Sequence, residues 1–204
     1  MKKLYLVTNS DKYSEEEFLE RVEAALKGGV DILQLREKDK TDLEILSLAK
    51  KVKALCDSYK VPMLIDDKPH LAWALGVGVH LGADDMPIEF ARKLLGPDAL
   101  IGATAKSVEA AQRAENDGAD YLGVGAIFET KTHVKTKRTS VETLIDIKKN
   151  VGIDVYAIGG LNIDNVDILE GSGVDGVCVV RAIMDSPNVE DDTRKLKEKI
   201  NRIL

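Results

Sequence analysis

The sequence has few aromatic residues and almost no cysteine. Phe, Trp and Tyr together make up 4% of the 204 residues, so the core must be built mainly from Val, Ile, Leu and Ala. Cys56 and Cys178 are the only cysteines. Two cysteines cannot form the disulfide framework of a small secreted protein, and they favour a reducing compartment. Both lie in apolar stretches, so we interpret them as buried small hydrophobic residues and not as reactive thiols.

The chain also lacks an excess of positive charge and a long apolar run. Lys plus Arg number 29 and Asp plus Glu number 35, giving a net charge of −6, which argues against a nucleic-acid or anionic-membrane partner. No apolar run approaches the length of a membrane span. Met1-Lys2-Lys3 leads directly into a strand-like segment and not into the apolar region of a signal peptide. We therefore expect a cytoplasmic protein; a homo-oligomer is compatible with the sequence.

Short β-branched runs alternate with longer segments of helical periodicity along the chain. The runs are apolar at consecutive positions, as in parallel strands that are buried on both faces. They predict strands over residues 4–8, 32–36, 63–65, 78–81, 100–103, 121–124, 155–158 and 176–180. Helices are predicted over residues 15–27, 43–59, 71–74, 88–95, 108–116, 141–149, 165–170 and 192–203. In the second helix, apolar residues at three-residue steps predict one buried face, made of Leu43, Leu46, Ala49, Val52 and Leu55.

Four similar phrases join helices to strands: GGVDILQL, GVGVHLG, DGADYLGVG and GSGVDGVCVV. In each, a glycine can end a helix in the left-handed conformation, and an apolar strand follows. Eight strands alternating with helices give either a (β/α)8 barrel or a doubly wound sheet. A dinucleotide-binding sheet needs GxGxxG after its first strand, and TNSDKYSEEE at that point contains no glycine. The sequence therefore predicts an α/β protein, a (β/α)8 TIM barrel, as a single domain over residues 1–204.

Polar residues follow the predicted strands at one rim of the barrel, where the catalytic groups of this fold lie. Asp67 and Asp85 follow neighbouring strands, so their carboxylates could converge on Mg²⁺, which takes one or two carboxylates together with water and phosphate oxygens. Alternatively, Asp67 and Asp84 could cap the helices that follow, a common role of Asp in such loops. The spacing leaves both interpretations open.

A row of polar residues ends the second strand. Gln34, Arg36 and Lys38 share one face of this strand, whereas Leu35 and Glu37 share the other. A polar run at the end of a buried strand is costly unless something is paired with it, which favours ligand binding. The alternative is a structural salt bridge from Arg36 to Glu37 or to a carboxylate across the barrel.

Two further segments have features of phosphate sites. Gly159-Gly160 follows the seventh strand and residues 173–181 surround the eighth. Loops after these strands often bind phosphate in such barrels, because glycines admit the anion to backbone N–H groups. The polar segment 129–140 is long for such a loop and offers hydroxyls and lysine side chains. Together these features predict a diphosphate site assisted by Mg²⁺ and a separate phosphate site.

Six segments carry a resemblance that covers nearly the whole chain. They are QLREK at 34–38, IDDKPHLA at 65–72, GVHLGADDMP at 78–87, IGATAKSVEAAQRAENDGADYLGVGAIFETKT at 101–132, AIGGLNIDN at 157–165 and GVDGVCVVRAI at 173–183. Taken in register, they resemble the thiamin phosphate synthase family. The resemblance implies a Mg²⁺-dependent transferase of thiamin biosynthesis with the (β/α)8 fold. It would condense a hydroxymethylpyrimidine diphosphate with a thiazole phosphate, or with the carboxylated form of that thiazole, to give thiamin phosphate and pyrophosphate.

The resemblance also assigns roles by position. It implies that Asp67 and Asp85 bind Mg²⁺, and that the catalytic residues are Arg36, Lys38, Thr104 and His133. The pyrimidine diphosphate is assigned to Gln34, Leu35, Arg36, Glu37, Lys38, Asp66, Thr104 and His133. The thiazole phosphate is assigned to Thr130, Lys131, Thr132, Gly160, Val180 and Arg181. Pyrophosphate would leave by dissociative displacement, and catalysis by positioning and charge neutralisation requires no protein nucleophile.

Several positions depart from the usual pattern of the family that the chain resembles. Asp66 stands where asparagine is common, Thr104 replaces a serine, and Arg181 replaces a frequent serine. His133 occupies the place of a lysine that contacts pyrophosphate, and a neutral imidazole would weaken that contact. These changes affect the expected substrate affinity more than the reaction class.

Two other functions compete with this interpretation. One is a related thiazole tautomerase barrel that acts without Mg²⁺, but that branch carries a histidine near the end of the sixth strand, where this chain has Ala126. The other is a non-catalytic protein that binds a phosphate ligand. The presence of His133 in place of lysine is consistent with this hypothesis.

Overall fold

The computed structural model describes residues 1–129 and 138–204 of the chain, and within them eight strands form one closed barrel. The strands are β1 (Lys3–Val7), β2 (Ile32–Leu35), β3 (Met63–Asp66), β4 (Gly78–Leu81), β5 (Ile101–Ala105), β6 (Tyr121–Gly125), β7 (Asp154–Ile158) and β8 (Gly176–Val179). Each strand pairs in parallel with the next, and β8 pairs in parallel with β1. The predicted (β/α)8 barrel is therefore confirmed.

Helices lie between successive strands from β1 to β7, and two more follow β8. They are α1 (Glu15–Lys27), α2 (Asp42–Tyr59), α3 (Pro69–Leu75), α4 (Ile88–Leu95), α5 (Val108–Asn116), α6 (Val141–Asn150), α7 (Arg181–Met184) and α8 (Val189–Ile203). Residues 165–170, predicted as a helix, contain a single 3₁₀ turn, Val166–Leu169. Gly76 ends α3 with a φ of +65°, as the repeated glycine phrases predict. Among the described residues, no helix is both long enough and apolar enough to span a bilayer.

Two apolar layers result from the alternation of side chains along each strand. One fills the inside of the barrel and contains Tyr5, Val7, Ile32, Leu64, Tyr121, Tyr156 and Cys178. The larger layer lies between the strands and the helices and consists mainly of Leu, Ile, Val and Ala. Three tyrosine rings therefore fill much of the inside of the barrel. Gly102 on β5 makes room for this arrangement, since a Cβ there would lie 1.9 Å from the Tyr121 ring.

The predicted buried face of α2 was wrong in its register. Leu43 is 78% exposed, and Leu46 and Leu55 are only partly buried. The buried positions are Ile45, Leu48, Ala49, Val52 and Cys56. Steps of three residues turn only about 300° around a helix, so a strict three-residue series drifts off the face. Alternating steps of three and four follow it.

We expect both thiols to be unreactive in the folded protein. Cys56 in the outer layer and Cys178 inside the barrel are free and buried, as predicted. Burial raises the pKa of Cys56 to about 12 and also raises that of Cys178, so little reactive thiolate forms. At pH 8, a disulfide reagent should titrate these thiols roughly a hundredfold more slowly than in guanidinium, where both cysteines react. Rapid labelling of one thiol per native chain would contradict the packing described here.

Candidate active site

A cavity of about 810 Å³ opens at the carboxyl ends of the strands. Its walls come from β1 to β8 and from the loops that follow them, which is where this fold carries its active sites. The predicted site residues that line it are Gln34, Arg36, Lys38, Asp66, Asp67, Asp85, Thr104, Gly160, Val180 and Arg181. Thr130, Lys131, Thr132 and His133 lie outside the described residues. The polar residues that follow separate strands thus meet in one cavity, as predicted.

Leu35 and Glu37 are not brought to this cavity. Leu35 is 1% exposed and packs in the outer apolar layer. The Glu37 carboxylate accepts a hydrogen bond of 2.7 Å from the Ser10 hydroxyl and pairs with Lys40. The resemblance assigned them to the substrate because they belong to the QLREK segment. Side chains alternate in direction along a strand, so Leu35 and Glu37 point away from the cavity that Gln34, Arg36 and Lys38 line.

The Arg36 guanidinium faces a carboxylate on the next strand and not its neighbour in sequence. Its Nε lies 3.7 Å from Asp66 Oδ2. Asp66 ends β3, so the pair joins the ends of two adjacent strands. Of the two structural salt bridges considered from the sequence, the one to Glu37 is not formed, and the carboxylate partner is on the neighbouring strand.

The Asp67 and Asp85 carboxylates meet across the loops after β3 and β4. The two carboxyl groups are close enough for each to shift the pKa of the other, and Asp85 Oδ2 also accepts a hydrogen bond of 2.6 Å from the Gly82 amide. Asp67 has a φ of +60°, which is uncommon for a residue with a side chain and is found most often at functional sites.

Neither Asp67 nor Asp84 caps a helix. The N-cap residue of α3 is Lys68 and that of α4 is Pro87, and neither helix has a side-chain cap. The capping interpretation, left open by the sequence, is therefore wrong for both helices. The two loops leave their aspartates available at the cavity instead.

Lys38 provides positive charge to this acidic cluster. Its ammonium group forms an ion pair with Asp67 and lies 2.9 Å from Asp66 Oδ2. Burial acts to lower the pKa of Lys38, but its hydrogen bond to Asp67 and the charge of Asp66 raise the pKa above the ordinary value. Burial likewise opposes ionisation of Asp67, yet the hydrogen bond from Lys38 outweighs it and the pKa of Asp67 is lowered.

The other two carboxyl groups are held less firmly in the ionised form. Burial, followed by the charge of Asp67, raises the pKa of Asp66 to about 6. Burial and the hydrogen bond with Asp67 raise the pKa of Asp85. Three carboxyl groups beside the two cations Lys38 and Arg36 keep an excess of negative charge when ionised, which an additional cation would stabilise.

The opposite side of the cavity is formed by the loops after β7 and β8. Gly160 has a φ of +66°, and a Cβ there would lie 2.8 Å from the Glu129 carbonyl oxygen. Arg181 begins α7, and its Nε donates a hydrogen bond of 2.7 Å to Asp185. A glycine backbone and a cationic side chain thus line the same cavity, and both are suited to bind an anion.

Sequence reasoning missed the polar floor of the cavity. Tyr5 and His80 line it, and Tyr121 lies directly beneath, bonded to both. The sequence did contain a pattern that points to these residues, because each occupies an inward-facing position in the two-residue alternation of its strand. The pairing of side chains from distant strands, however, depends on the closed barrel.

The fold and this cavity define a class of protein, a (β/α)8 barrel enzyme with a polar site at the carboxyl ends of its strands. A family model described as thiamine monophosphate synthase matches residues 4–183. The chain is 46% identical over 203 residues to thiamine-phosphate synthase 2 of Streptococcus pneumoniae, covering 99% of this chain and 97% of that protein. It is 44% identical over 199 residues to thiamine-phosphate synthase of Fusobacterium nucleatum, covering 97% and 95%.

A solved structure agrees with these relatives. The thiamine phosphate pyrophosphorylase from Pyrococcus furiosus superposes with a TM-score of 0.90 at 36% identity, covering 99% of this chain and 96% of that one. The chain therefore belongs to the thiamine monophosphate synthase family and is a transferase of thiamin biosynthesis.

Proposed function

We propose that this cavity joins an aminopyrimidine bearing a methylene diphosphate to a thiazole phosphate, giving thiamin phosphate and pyrophosphate. The observation that carries the proposal is that one cavity has two chemically distinct sides. Lys38, Asp67 and Asp85 lie on the side of β2 to β4, and Gly160 and Arg181 lie on the side of β7 and β8. Two phosphorylated substrates that must touch each other need such an arrangement.

The residues present fit a magnesium ion. The Asp67 and Asp85 carboxylates are in contact, and Mg²⁺ commonly takes one or two carboxylates while water and substrate phosphate oxygens complete its octahedron. In residues 1–129 and 138–204, no group of three or more His, Cys, Asp or Glu is arranged to hold a metal, so the protein would supply this pair only. When bound there, Mg²⁺ would supply charge neutralisation for the diphosphate.

Arg36 and Lys38 would hold the diphosphate at this side of the cavity. On substrate binding, Lys38 would exchange its contacts with Asp66 and Asp67 for contacts with phosphate oxygens, while Arg36 stays beside Asp66. As the C–O bond breaks, negative charge collects on the pyrophosphate, and these cations stabilise it. The aminopyrimidine ring delocalises the positive charge left on its methylene carbon, and the thiazole nitrogen then bonds to that carbon. No protein nucleophile is required.

Gly160, Val180 and Arg181 would hold the phosphate of the thiazole. Gly160 lets the loop after β7 pack against residues 128 and 129, where a Cβ would clash, and Arg181 adds a positive charge whose orientation Asp185 fixes. A carboxylated thiazole phosphate is equally acceptable to a cationic residue at this point. We further propose that residues 1–204 act as one domain in the cytoplasm, with small molecules as partners.

The experiment combines purified protein with both substrates, with Mg²⁺ or with a chelator, and measures thiamin phosphate. We expect product only with Mg²⁺, released together with one equivalent of pyrophosphate. Isomerisation of the thiazole alone, independent of Mg²⁺, would establish the tautomerase instead. Binding of both ligands without turnover would establish a non-catalytic binding protein.

A further inference from the structure

A continuous series of hydrogen bonds crosses the floor of the cavity from β3 to β5. We call it the floor chain. It joins six side chains in the order Asp66, Gln34, Tyr5, Tyr121, His80 and Thr104. Tyr5 and Tyr121 are 2% and 1% exposed and Gln34 is 3% exposed, so water does not substitute for these bonds. Each member therefore restricts what the next one can donate or accept.

The donor and acceptor roles along the floor chain are fixed at its acidic end, Asp66. Gln34 Nε2 lies 2.5 Å from Asp66 Oδ1. A carboxylate oxygen accepts and the amide nitrogen donates, so the Gln34 amide has only one orientation. That orientation turns Gln34 Oε1 to the Tyr5 hydroxyl, 2.5 Å away. Because Oε1 can only accept, Tyr5 must donate its proton to it.

The two tyrosines transmit this direction across the barrel. The Tyr5 and Tyr121 hydroxyl oxygens are 2.8 Å apart. Tyr5 has a single hydroxyl proton, already given to Gln34, so Tyr121 must donate to Tyr5. Tyr121 then has only lone pairs left for His80, whose Nδ1 lies 3.0 Å away. His80 must therefore carry a proton on Nδ1 and donate it.

His80 passes the direction on to Thr104. Its Nε2 lies 3.0 Å from Thr104 Oγ1. In a neutral imidazole protonated on Nδ1, Nε2 is an acceptor, so Thr104 must donate its hydroxyl proton to His80. Both ring nitrogens of His80 therefore face hydroxyl groups, and the ring lines the cavity. The neutral form agrees with the two hydroxyl partners.

We propose that the floor chain fixes the Thr104 hydroxyl as a hydrogen-bond acceptor toward the cavity, so that this point selects a substrate N–H donor. His80 and Tyr121 are then positioning residues for specificity. This inference rests on the proposed function for the identity of the donor, the amino group of the pyrimidine diphosphate. A carbonyl oxygen at the same ring position would meet the lone pairs of Thr104 and be rejected. Breaking the chain would let the hydroxyl rotate and donate.

The binding test compares Tyr121→Phe with Tyr156→Phe. Both tyrosines lie in the same aromatic cluster inside the barrel, but the Tyr156 hydroxyl donates to Asp154 and is not in the floor chain. The probes are the 4-amino pyrimidine diphosphate and its 4-oxo analogue, whose dissociation constants are measured with Mg²⁺ and without thiazole. Tyr121→Phe should lower the preference for the amino compound about fivefold to tenfold, the worth of one hydrogen bond. Tyr156→Phe should leave it unchanged.

A second measurement needs no variant to fold. The chain has three histidines, and ¹⁵N NMR of histidine-labelled wild-type protein distinguishes the tautomers of each. We expect His80 to carry its proton on Nδ1. A proton on Nε2 would overturn the inferred direction, and an unchanged preference in folded Tyr121→Phe would overturn the role in specificity. Failure of the wild-type protein to form thiamin phosphate would instead count against the proposed function, since the tautomer measurement does not depend on turnover.

Discussion

Replacing Asp67 or Asp85 with asparagine is expected to lower thiamin phosphate formation by roughly a hundredfold or more at saturating substrate. Asparagine keeps the size of the side chain and loses the negative charge. The two carboxylates face each other at the cavity, so either change halves the charge available to a divalent cation. The concentration of Mg²⁺ giving half-maximal activity should rise together with the loss of rate.

Asp84→Asn is the matched control for this prediction. Asp84 stands next to Asp85 and lines the same cavity, but its side chain is exposed. The variant should retain the wild-type rate and the wild-type response to Mg²⁺. If Asp67→Asn or Asp85→Asn kept an unchanged dependence on Mg²⁺ while remaining folded, the assignment of the metal site would be wrong.

Replacing Lys38 with methionine is expected to have the next largest effect, again roughly a hundredfold on turnover. The variant removes a charge that would stabilise the departing pyrophosphate. It also leaves Asp66 and Asp67 without their ammonium partner. Because Lys38 is itself 39% exposed, water screens part of this loss, and we expect the free energy of unfolding to fall by only about 1–2 kcal/mol.

A double variant separates the two roles of Lys38. In Lys38→Met with Asp66→Asn, the buried carboxylate that lost its partner is also removed. Urea denaturation should show that most of the stability returns, whereas the rate should stay low. Recovery of activity along with stability would mean that Lys38 acts through folding alone and does not touch the diphosphate.

Much of the fold was predictable because its signals are local. Buried parallel strands read as short apolar runs, and the glycines after helices mark the turns into them. The proximity of Asp67 and Asp85 was also predictable, because both residues follow strands that are neighbours in a barrel. Helix capping by the aspartates is excluded because the N-cap positions are occupied by Lys68 and Pro87. Sequence patterns locate such positions only to within a residue or two.

The parts that could not be predicted depend on contacts between distant strands. Leu35 and Glu37 were included with the site because they belong to the continuous QLREK segment, although alternation placed them on the other face. The contacts of Tyr5 with Gln34 and Tyr121 join β1 to β2 and β6. The contact of Tyr5 with Tyr121 crosses the barrel and forms only when the barrel closes, so no spacing along the chain reveals it.

The central claim is that Asp67 and Asp85 hold the divalent cation that accompanies the diphosphate. A crystal soaked with Mn²⁺ in place of Mg²⁺ and with the pyrimidine diphosphate tests it directly by anomalous scattering. We expect one strong peak within coordination distance of a carboxylate oxygen of each aspartate and of the diphosphate. A diphosphate bound in the cavity with its metal elsewhere, and both carboxylates turned away, would contradict the account.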